Sequence, residues 1–390
     1  MEGIQVSLFN QRSSEERIQL LTKTVEPFSK RALEHDKNGT FPFENFHELQ
    51  AIGYPALTLP KEYGGLGISL YEMLRYQEII GKADGSTALS IGWHMGIMKH
   101  LGENKTWKEE TFTSVAEDVK KTGALLNNAA SEPATGSPTR GGKPETFAKE
   151  DGTGWVINGR KTFTTLSPIL SYFVVSASID GSDDVGNFLI KRDRNGVKVE
   201  ETWDSIAMRG TGSHDLVLED VHVDKDDLVE ILSTGKRKPA GWLLHIPACY
   251  IGIAQAAQQA ALEFATTYSP NSIKGTISEL PNVKQKLGEI ELAVLEARHF
   301  LFSIARKWDE SDESTRDTMG PELGAAKLSV VNKSVEIVDL AMRIVGARSL
   351  SEKNNLQLYY RDVRAGLHNP PMDDMTIMQL AGKSIAGYQE

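Results

Sequence analysis

Four short polar stretches of this chain combine residue types that could do chemistry. Residues 127–142, NNAASEPATGSPTRGG, concentrate small residues, hydroxyls and backbone amides, which could wrap a large planar or phosphorylated ligand. Residues 158–165, NGRKTFTT, and 208–215, MRGTGSHD, add further hydroxyls and an aromatic ring. The stretch LHNPP, at 367–371, joins an imidazole and an amide to two prolines. A simple cluster of turns remains the alternative for the first stretch, because its residues are also common turn residues.

Composition and missing motifs narrow the function classes. The signatures GxSxG, HExxH, CxxC and GxxxxGK[ST] are all absent from the sequence, so the common hydrolase, metal and nucleotide motifs do not apply. A net charge of -10 and a pI near 5.5 argue against a nucleic-acid partner. The single cysteine, Cys249, lies in an apolar stretch, which predicts a buried thiol in a reducing compartment. Because no apolar run is long enough to span a membrane and the N-terminus is charged, we expect a cytoplasmic protein without membrane contact.

The pattern along the chain predicts three domains in an α+β multidomain fold. Residues 1–120 show helical spacing, and residues 121–230 contain short β-rich runs between turn signals, as in a small antiparallel barrel or sandwich. Residues 231–390 return to long amphipathic helices of the kind that form bundles. Within the β-rich region, the Asn158-Gly159 pair predicts a hairpin turn.

The order of these motifs resembles the acyl-CoA dehydrogenase superfamily. Helices, then SEPATGS, NGRKTFTT, MRGTGSHD, an Ala-rich helix and YRDVR follow one another over almost the whole chain. The resemblance implies an N-terminal α-helical domain, a middle antiparallel β-barrel and a C-terminal four-helix bundle in a homotetramer. It also implies a flavin-dependent oxidoreductase with a small-molecule or acyl-CoA substrate, whose flavin ring lies between the middle and C-terminal domains.

The same resemblance assigns flavin contacts to individual residues. Ser131 and Ser137 match serine positions of the flavin-contacting loop, Phe163 matches the ring that stacks beside the flavin, and Thr165 matches the hydroxyl that reaches flavin N5. Hydrogen bonds near N5 tune the electronics of the cofactor. For Glu132, the plainer interpretation is that its carboxylate holds the loop through backbone amides.

Desaturation of an acyl thioester needs a base that this chain lacks at the expected positions. A carboxylate must remove the α-proton while the flavin takes the β-hydrogen as hydride. The family's usual glutamate falls on Pro370, and its alternative position falls near Trp242 and Leu243. Asp373 and Asp374 are the nearest candidates for a displaced base, although both could simply be solvated.

The motifs that hold the adenine end of FAD also depart from the family. The sequence SPNSIKGTISELP follows Tyr268 where Arg-x-x-Phe-Gly is expected, and residues 343–349 replace Gln-x-x-Gly-Gly-x-Gly. We therefore predict FAD or FMN as the cofactor, held weakly enough to be supplied reduced by a partner flavin reductase. An electron-transfer flavoprotein is the alternative partner.

The LHNPP stretch resembles a second branch of the superfamily, the two-component flavin monooxygenases similar to dibenzothiophene monooxygenase. That branch carries Leu-His-Asp-Pro at this point, a histidine in the helical domain and an asparagine before the flavin loop; His368, His94 and Asn128 match these. The resemblance implies that they protect a reactive flavin-oxygen adduct in a dry pocket. His368 could instead cap a helix C-terminus, and His94 could be a satisfied structural histidine.

Three functions therefore follow from the sequence, in order of preference. The first is reduced-flavin-dependent oxygenation of a small organic substrate, which the missing base and the LHNP segment favour. The second is α,β-desaturation of an acyl-CoA with a displaced base. The third is a flavin-free binding or scaffold protein, against which the retention of Ser131, Phe163 and Thr165 argues.

Overall fold

The structure is a computed structural model that describes residues 7–135, 142–232 and 238–389. Helices come first, a single sheet follows, and helices end the chain, which confirms the predicted fold class. The helices are α1 Ser14–Val25, α2 Phe28–Asn38, α3 Phe43–Ala51, α4 Leu70–Ala83, α5 Gly85–Asn104, α6 Glu109–Thr122, α7 His245–Thr267, α8 Pro281–Glu310, α9 Glu313–Arg316, α10 Gly320–Val345, α11 Asn355–Ala365 and α12 Asp373–Gln389. The strands are β1 Leu126–Ala129, β2 Phe147–Glu150, β3 Gly154–Thr164, β4 Tyr172–Ile179, β5 Val185–Lys191, β6 Val197–Glu200, β7 His214–Asp224 and β8 Leu228–Leu232.

Several helices begin where the sequence supplies a capping side chain. Ser13 accepts a hydrogen bond from the backbone N–H of Glu16 at 3.2 Å, and Asp84 accepts from the N–H groups of Ser86 and Thr87 at the start of α5. Such caps satisfy backbone donors that the first helical turn leaves free. Within the ranges given above, no helix is both long and apolar enough to cross a membrane.

The central sheet is mixed, whereas the sequence predicted an antiparallel one. Its strand order is β6-β7-β3-β2-β4-β5-β8, with β1 added beside β4. Strands β1 and β2 both run parallel to β4, and the other pairings are antiparallel. Parallel neighbours need a long connection, and the chain between β1 and β4 provides one because it contains β2 and β3.

The Asn158-Gly159 pair does not form a hairpin turn, so that prediction was wrong. Both residues lie inside β3, where the register with β7 shifts by a bulge. The Asn158 amide exchanges hydrogen bonds with Asp220 on β7, at 3.0 and 2.8 Å. A Cβ on Gly159 would lie 2.7 Å from the Thr146 Cα, so glycine is needed for close approach of the neighbouring chain.

Helix α7 packs against α4 with their backbones almost in contact. A Cβ on Gly81 would lie 2.5 Å from the Cys249 carbonyl oxygen, and one on Gly252 would lie 2.8 Å from the Lys82 nitrogen. Cys249 is fully buried, as predicted. The N-terminal and C-terminal helices therefore form one continuous core, which fixes the surroundings of the site described below.

Replacing Gly252 by alanine is expected to lower the free energy of unfolding by about 1–3 kcal/mol, because the new methyl group meets backbone that cannot move aside. The matched control is Gly382→Ala on the exposed face of α12, where nothing lies within 4 Å of the added carbon. That change should stabilise the helix by up to about 1 kcal/mol. Thermal or urea unfolding measures both, and equal stabilities would contradict the close α4–α7 contact.

Candidate functional site

Two hydrogen bonds join the end of β1 to the end of β3. The Thr162 N–H donates to the Ser131 carbonyl at 2.9 Å, and the Asn127 side-chain amide donates to the Thr165 carbonyl at 2.9 Å. These contacts bring four of the predicted site residues into one region, namely Asn128, Ser131, Phe163 and Thr165. The fifth residue predicted to lie here, Ser137, falls outside the described residues, and its assignment stays a prediction.

Phe163 presents an aromatic ring to the outside of the sheet. Its backbone has a φ of +56°, and 63% of the residue is exposed. The ring meets Trp203 edge-to-face with centroids 5.7 Å apart, and the Trp203 indole N–H donates to the Met208 carbonyl at 3.1 Å. A strained backbone that exposes a large ring is typical of a ligand-contacting position.

A chain of three hydroxyl groups runs inward from Thr165. The Thr165 hydroxyl is 2.9 Å from that of Ser213, which is 2.8 Å from that of Thr211. The Thr211 hydroxyl donates to the Met208 carbonyl at 2.9 Å. All three side chains are buried, Thr165 being the most accessible with 9% of its surface exposed.

With all three hydrogen bonds formed, the hydroxyl chain determines the direction in which each hydroxyl donates. A carbonyl has no hydrogen to give, so Thr211 spends its only hydroxyl hydrogen on Met208. Ser213 must then donate to Thr211, and Thr165 must donate to Ser213. The Thr165 oxygen consequently offers a ligand only its lone pairs, as a hydrogen-bond acceptor.

The loop that carries this chain is held from both helical regions. Asp362 on α11 accepts a hydrogen bond from the Met208 N–H at 2.6 Å. Burial raises the pKa of Asp362 to about 7, although the bond from Met208 opposes that rise. Next to it, Arg361 forms a two-point ion pair with Asp36 on α2, at 2.6 and 2.8 Å. The Arg209 side chain of the loop donates to the Asp36 carbonyl at 2.6 Å, so a shift of the loop would disturb both α2 and α11.

Glu132 forms a buried ion pair with Lys161 on β3, at 2.5 Å. The same carboxylate accepts hydrogen bonds from the N–H groups of Glu145 and Thr146, at 2.6 and 3.0 Å. Burial alone would raise the pKa of Glu132, but Lys161 and these amides outweigh burial and lower it. The interpretation of Glu132 as a residue that holds its loop is confirmed.

His94 on α5 is fully buried with both ring nitrogens occupied by backbone. Its Nε2–H donates to the Pro55 carbonyl, and its Nδ1 accepts from the Leu126 N–H, each at 3.1 Å. Burial lowers its pKa to about 4, so the ring is neutral near neutral pH. No nitrogen is left for a ligand in this arrangement, which favours the structural alternative over a catalytic role.

The LHNPP stretch follows the end of α11. The Tyr250 hydroxyl donates to the Asn369 side-chain oxygen at 2.6 Å, which fixes the turn against α7. The side chain of His368 is exposed and has no hydrogen bond, ion pair or ring contact with any described residue. The structure therefore does not connect His368 to Thr165, and its proximity to the flavin stays a prediction.

The carboxylates nearest to Pro370 in sequence are Asp373 and Asp374, the candidates for a displaced base. Asp373 pairs with the buried Lys327 at 3.0 Å and also contacts Asn332 at 3.4 Å. Asp374 is exposed. In the part of the chain that the structure covers, no group of three or more His, Cys, Asp or Glu side chains could hold a metal ion.

Comparison with known proteins identifies the family. Models of the N-terminal, middle and C-terminal domains of acyl-CoA dehydrogenases match residues 15–109, 127–221 and 244–369. YdbM of Bacillus subtilis, itself assigned to the acyl-CoA dehydrogenases only provisionally, is 52% identical over 97% of this chain and 100% of its own. L-evernosamine nitrososynthase of Micromonospora sp. is 29% identical over 90% of this chain and 85% of its own.

A solved structure extends the comparison to an oxygenase. Dibenzothiophene monooxygenase TdsC from Paenibacillus sp. superposes with a TM-score of 0.80 at 22% identity, over 93% of this chain and 95% of its own. At that identity the match demonstrates a common fold. The domain matches and the 52% identity to YdbM show more: this chain belongs to the acyl-CoA dehydrogenase family, and it is a flavin-dependent oxidoreductase.

Several residues of the site were not singled out from the sequence. Ser213 and Thr211 lie in the quoted MRGTGSHD motif, but only the tertiary structure reveals their hydroxyl chain with Thr165. Trp203 was assigned no role, because its partner Phe163 is far away along the chain. The aspartate of YRDVR was quoted as part of a motif, without its contact to the Met208 backbone.

The neutral state of His94 predicts acid sensitivity. Its pKa of about 4 in the folded protein compares with about 6.5 in an unfolded chain. The unfolded state therefore binds the proton first, so the stabilisation is complete above pH 6.5 and is lost as pH falls towards 4, by on the order of 3 kcal/mol. Melting temperatures between pH 4 and 7 measure this loss.

His94→Gln should reduce that pH dependence by about one proton's worth and lower stability at pH 7, because glutamine does not reproduce both backbone hydrogen bonds. His299→Gln on α8 is the control, since His299 is exposed. An unchanged pH dependence in the His94 variant would show that its ring is not held neutral.

Proposed function

We propose that this protein binds a reduced flavin against Ser131, Phe163 and Thr165 and uses it to oxygenate a small organic substrate. When bound, reduced flavin supplies the electrons that activate oxygen. The residues of this chain position the ring and present hydrogen-bonding groups of fixed polarity to it. The flavin's place at these residues comes from the family resemblance, and the exposed ring of Phe163 beside Trp203 supports it.

The direction of the hydrogen bonds in the hydroxyl chain is the observation that favours reduced flavin. The N5 position of oxidised flavin is an acceptor, whereas N5 of reduced flavin bears a hydrogen. Because Thr165 donates to Ser213, its oxygen can accept from N5–H but has no hydrogen for the oxidised ring. A protein that receives its flavin already reduced benefits from this polarity.

The second argument for oxygenation comes from Pro370, which occupies the position of the family's base, and from the nearby carboxylates. Pro370 has no side-chain donor or acceptor. The carboxylate of Asp373 is engaged by Lys327, and that of Asp362 is buried against the Met208 backbone. These contacts support oxygenation over proton abstraction from a thioester.

Acyl-CoA desaturation is the second candidate. Family membership and the 52% identity to YdbM favour it. In that case a carboxylate, Asp373 or Asp374, would have to move from its present position to serve as the base.

The identity of the flavin and of the partner proteins follows from the reaction. TdsC has been solved with FMN bound, and this chain lacks the family motifs for the adenine end of FAD, so we favour FMN or loosely held FAD. A flavin reductase is then the donor, and desaturation would call for an electron-transfer flavoprotein. We retain the homotetramer as a proposal, supported by apolar residues exposed on α12, namely Ile377, Met378 and Ile385.

Ser213→Ala tests the direction of the hydrogen bond between Thr165 and Ser213. It frees the Thr165 hydrogen to donate to oxidised flavin, so the preference for reduced over oxidised FMN should fall about tenfold, or ~1.4 kcal/mol. Thr165→Val removes the oxygen that accepts from N5–H, so it should weaken binding of reduced FMN by about 1–3 kcal/mol and leave binding of oxidised FMN nearly unchanged. Fluorescence titration of FMN under air and under anaerobic reduction gives both affinities.

Ser167→Ala is the matched control, because the Ser167 hydroxyl is buried and donates to the Gly212 carbonyl at 2.8 Å outside the hydroxyl chain. Its ratio of affinities should stay at the wild-type value. A Ser213→Ala ratio equal to that of wild type would remove the argument for reduced flavin.

His368→Ala distinguishes oxygenation from desaturation. If His368 protects the oxygen-activating step, the variant should keep nearly full flavin affinity but release more hydrogen peroxide per reduced FMN, with indole and dibenzothiophene as first trial substrates. Peroxide and product yields are measured together. Anaerobic mixing with saturated acyl-CoAs is the opposing experiment: bleaching of oxidised flavin, lost in Asp373→Asn or Asp374→Asn, would establish desaturation.

A further inference from the structure

Met208 connects a buried carboxylate of α11 to the hydroxyl chain. Its backbone is left-handed, with a φ of +52°, a conformation that a residue with a side chain keeps only when its surroundings hold it there. The Met208 N–H donates to the Asp362 carboxylate at 2.6 Å. The Met208 carbonyl accepts from the Thr211 hydroxyl at 2.9 Å and from the Trp203 indole N–H at 3.1 Å. Asp362 therefore restrains the residue at which the hydroxyl chain ends.

Asp362 is buried with little to compensate its charge. Only 3% of the residue is exposed, and the bond from Met208 is the one hydrogen bond that its carboxylate makes with the described residues. Arg361, beside it in sequence, directs its guanidinium to the Asp36 carboxylate and to the Ile206 carbonyl. The adjacent cation is thus committed to other acceptors.

The described titratable groups around Asp362 are acids with one exception, the cation of Arg361. They come from α2, from the start of α5, from α7 and from α11 itself, namely Asp36, Asp84, Cys249, Tyr250, Tyr359 and Arg361. Burial raises the pKa of Asp362 to about 7, with a contribution from Asp36 and Asp84 and against the effect of the Met208 bond. The carboxyl group therefore changes its charge near neutral pH.

Packing alone does not explain a carboxylate at position 362. An asparagine would accept the same hydrogen bond from the Met208 N–H without placing a charge in the interior, which is costly for an unpaired group. What an aspartate adds is a bond to an ionised acceptor, and such bonds are shorter and roughly twice as strong as neutral ones. Ionisation of Asp362 therefore tightens its hold on Met208, and protonation weakens it.

We propose that Asp362 is a positioning residue for the proposed flavin site, whose charge holds Met208 in place and thereby keeps the hydroxyl chain in one direction. When Asp362 is ionised, the Met208 carbonyl stays aimed at Thr211, so Ser213 donates to Thr211 and Thr165 donates to Ser213. When Asp362 is protonated, the left-handed Met208 is held less firmly, and the Thr165 hydrogen is free for part of the time.

The preference for reduced flavin should consequently rise as pH rises through 7. A larger fraction of Asp362 is then ionised, and the Thr165 oxygen presents only its lone pairs to a ligand. This effect on the flavin rests on the proposed function. The response of Met208 to the charge of Asp362 does not, so it is measured without the cofactor.

Fluorine NMR of the flavin-free, full-length protein tests the response of Met208. The tryptophans are replaced by 5-fluorotryptophan, and the Trp203 resonance is assigned by its loss in Trp203→Phe. Because Trp203 donates to the Met208 carbonyl, its resonance should shift between pH 6 and 8.5 with a midpoint near 7 in the wild type, and this shift should be absent in Asp362→Asn. A resonance that does not titrate in this range, or that titrates identically in both proteins, would overturn the proposal.

His214 is the other titratable group in contact with Trp203, since its Nδ1 accepts from the Trp203 N–H at 3.0 Å. Burial lowers the pKa of His214 from its ordinary value of 6.5. A shift of the Trp203 resonance that His214 causes therefore has its midpoint below 6.5 and persists in Asp362→Asn. The two sources are separated by both criteria.

The affinities for reduced and oxidised FMN, measured at pH 6, 7 and 8.5, test the consequence at the flavin. The ratio of affinities should rise at least threefold over this range in the wild type. In Asp362→Asn it should stay near the wild-type value at pH 6, because asparagine resembles the protonated carboxyl group. Titration of the flavin itself is common to both proteins and cancels in the comparison. An identical pH dependence of the ratio in both proteins would overturn the role of Asp362.

Asp309→Asn is the matched control. Asp309 on α8 also accepts hydrogen bonds from backbone N–H groups of another helical region, those of Leu70 and Tyr71 at 2.8 Å each, but at the start of α4. This variant should show the wild-type titration of Trp203 and the wild-type ratio. The same losses as in Asp362→Asn would overturn the specific role of the Met208 bond. Failure of the wild type to bind FMN would contradict only the proposed function, because the Trp203 titration is independent of it.

Discussion

The buried ion pair between Glu132 and Lys161 is the interaction on which the candidate site depends. Lys161 is held inside β3, and Glu132 stands at the start of the small-residue loop, so the pair joins the two segments that carry Ser131 and Phe163. Removing one partner from a buried pair commonly costs about 3–5 kcal/mol, because the other charge is left without compensation. That cost reflects the charge left behind and not the net stability of the intact pair, so the main contribution of the pair is to fix the geometry of the two segments. The N–H groups of Glu145 and Thr146 donate the remaining hydrogen bonds to the Glu132 carboxylate.

The hydroxyl chain adds a chemical polarity to that geometry. Thr165 follows the end of β3, and Ser213 precedes the start of β7. The hydroxyl chain ends at the Met208 carbonyl, and Asp362 on α11 holds the loop that carries Met208. Each element thus restrains the next, from the C-terminal helices through the loop to the Thr165 hydroxyl. The direction of these hydrogen bonds is the observation that supports the proposed preference for reduced flavin.

The two buried histidines show how similar sequence surroundings acquire different roles. His94 and His245 both lie among apolar residues on helices, and burial lowers the pKa of each. His94 spends both nitrogens on the backbone of Pro55 and Leu126, so it joins α5 to the sheet. Neither nitrogen of His245 bonds to a described residue, so its ring packs between aromatic side chains without fixing a backbone group.

The sequence by itself determined the order of helical, β-rich and helical regions, because residue periodicity and turn composition are local properties. It also determined the family, because its motifs occur in the family's order, whereas the assignment of Ser131, Phe163 and Thr165 to a flavin site stays a prediction. Only the tertiary structure decided the mixed strand pairing, the bulge at Asn158-Gly159 and the occupied ring of His94, since each depends on a partner distant in sequence. The unmet hydrogen bonds of Gln77 and His245 were likewise beyond the sequence, because they arise only when α4 and α7 pack together.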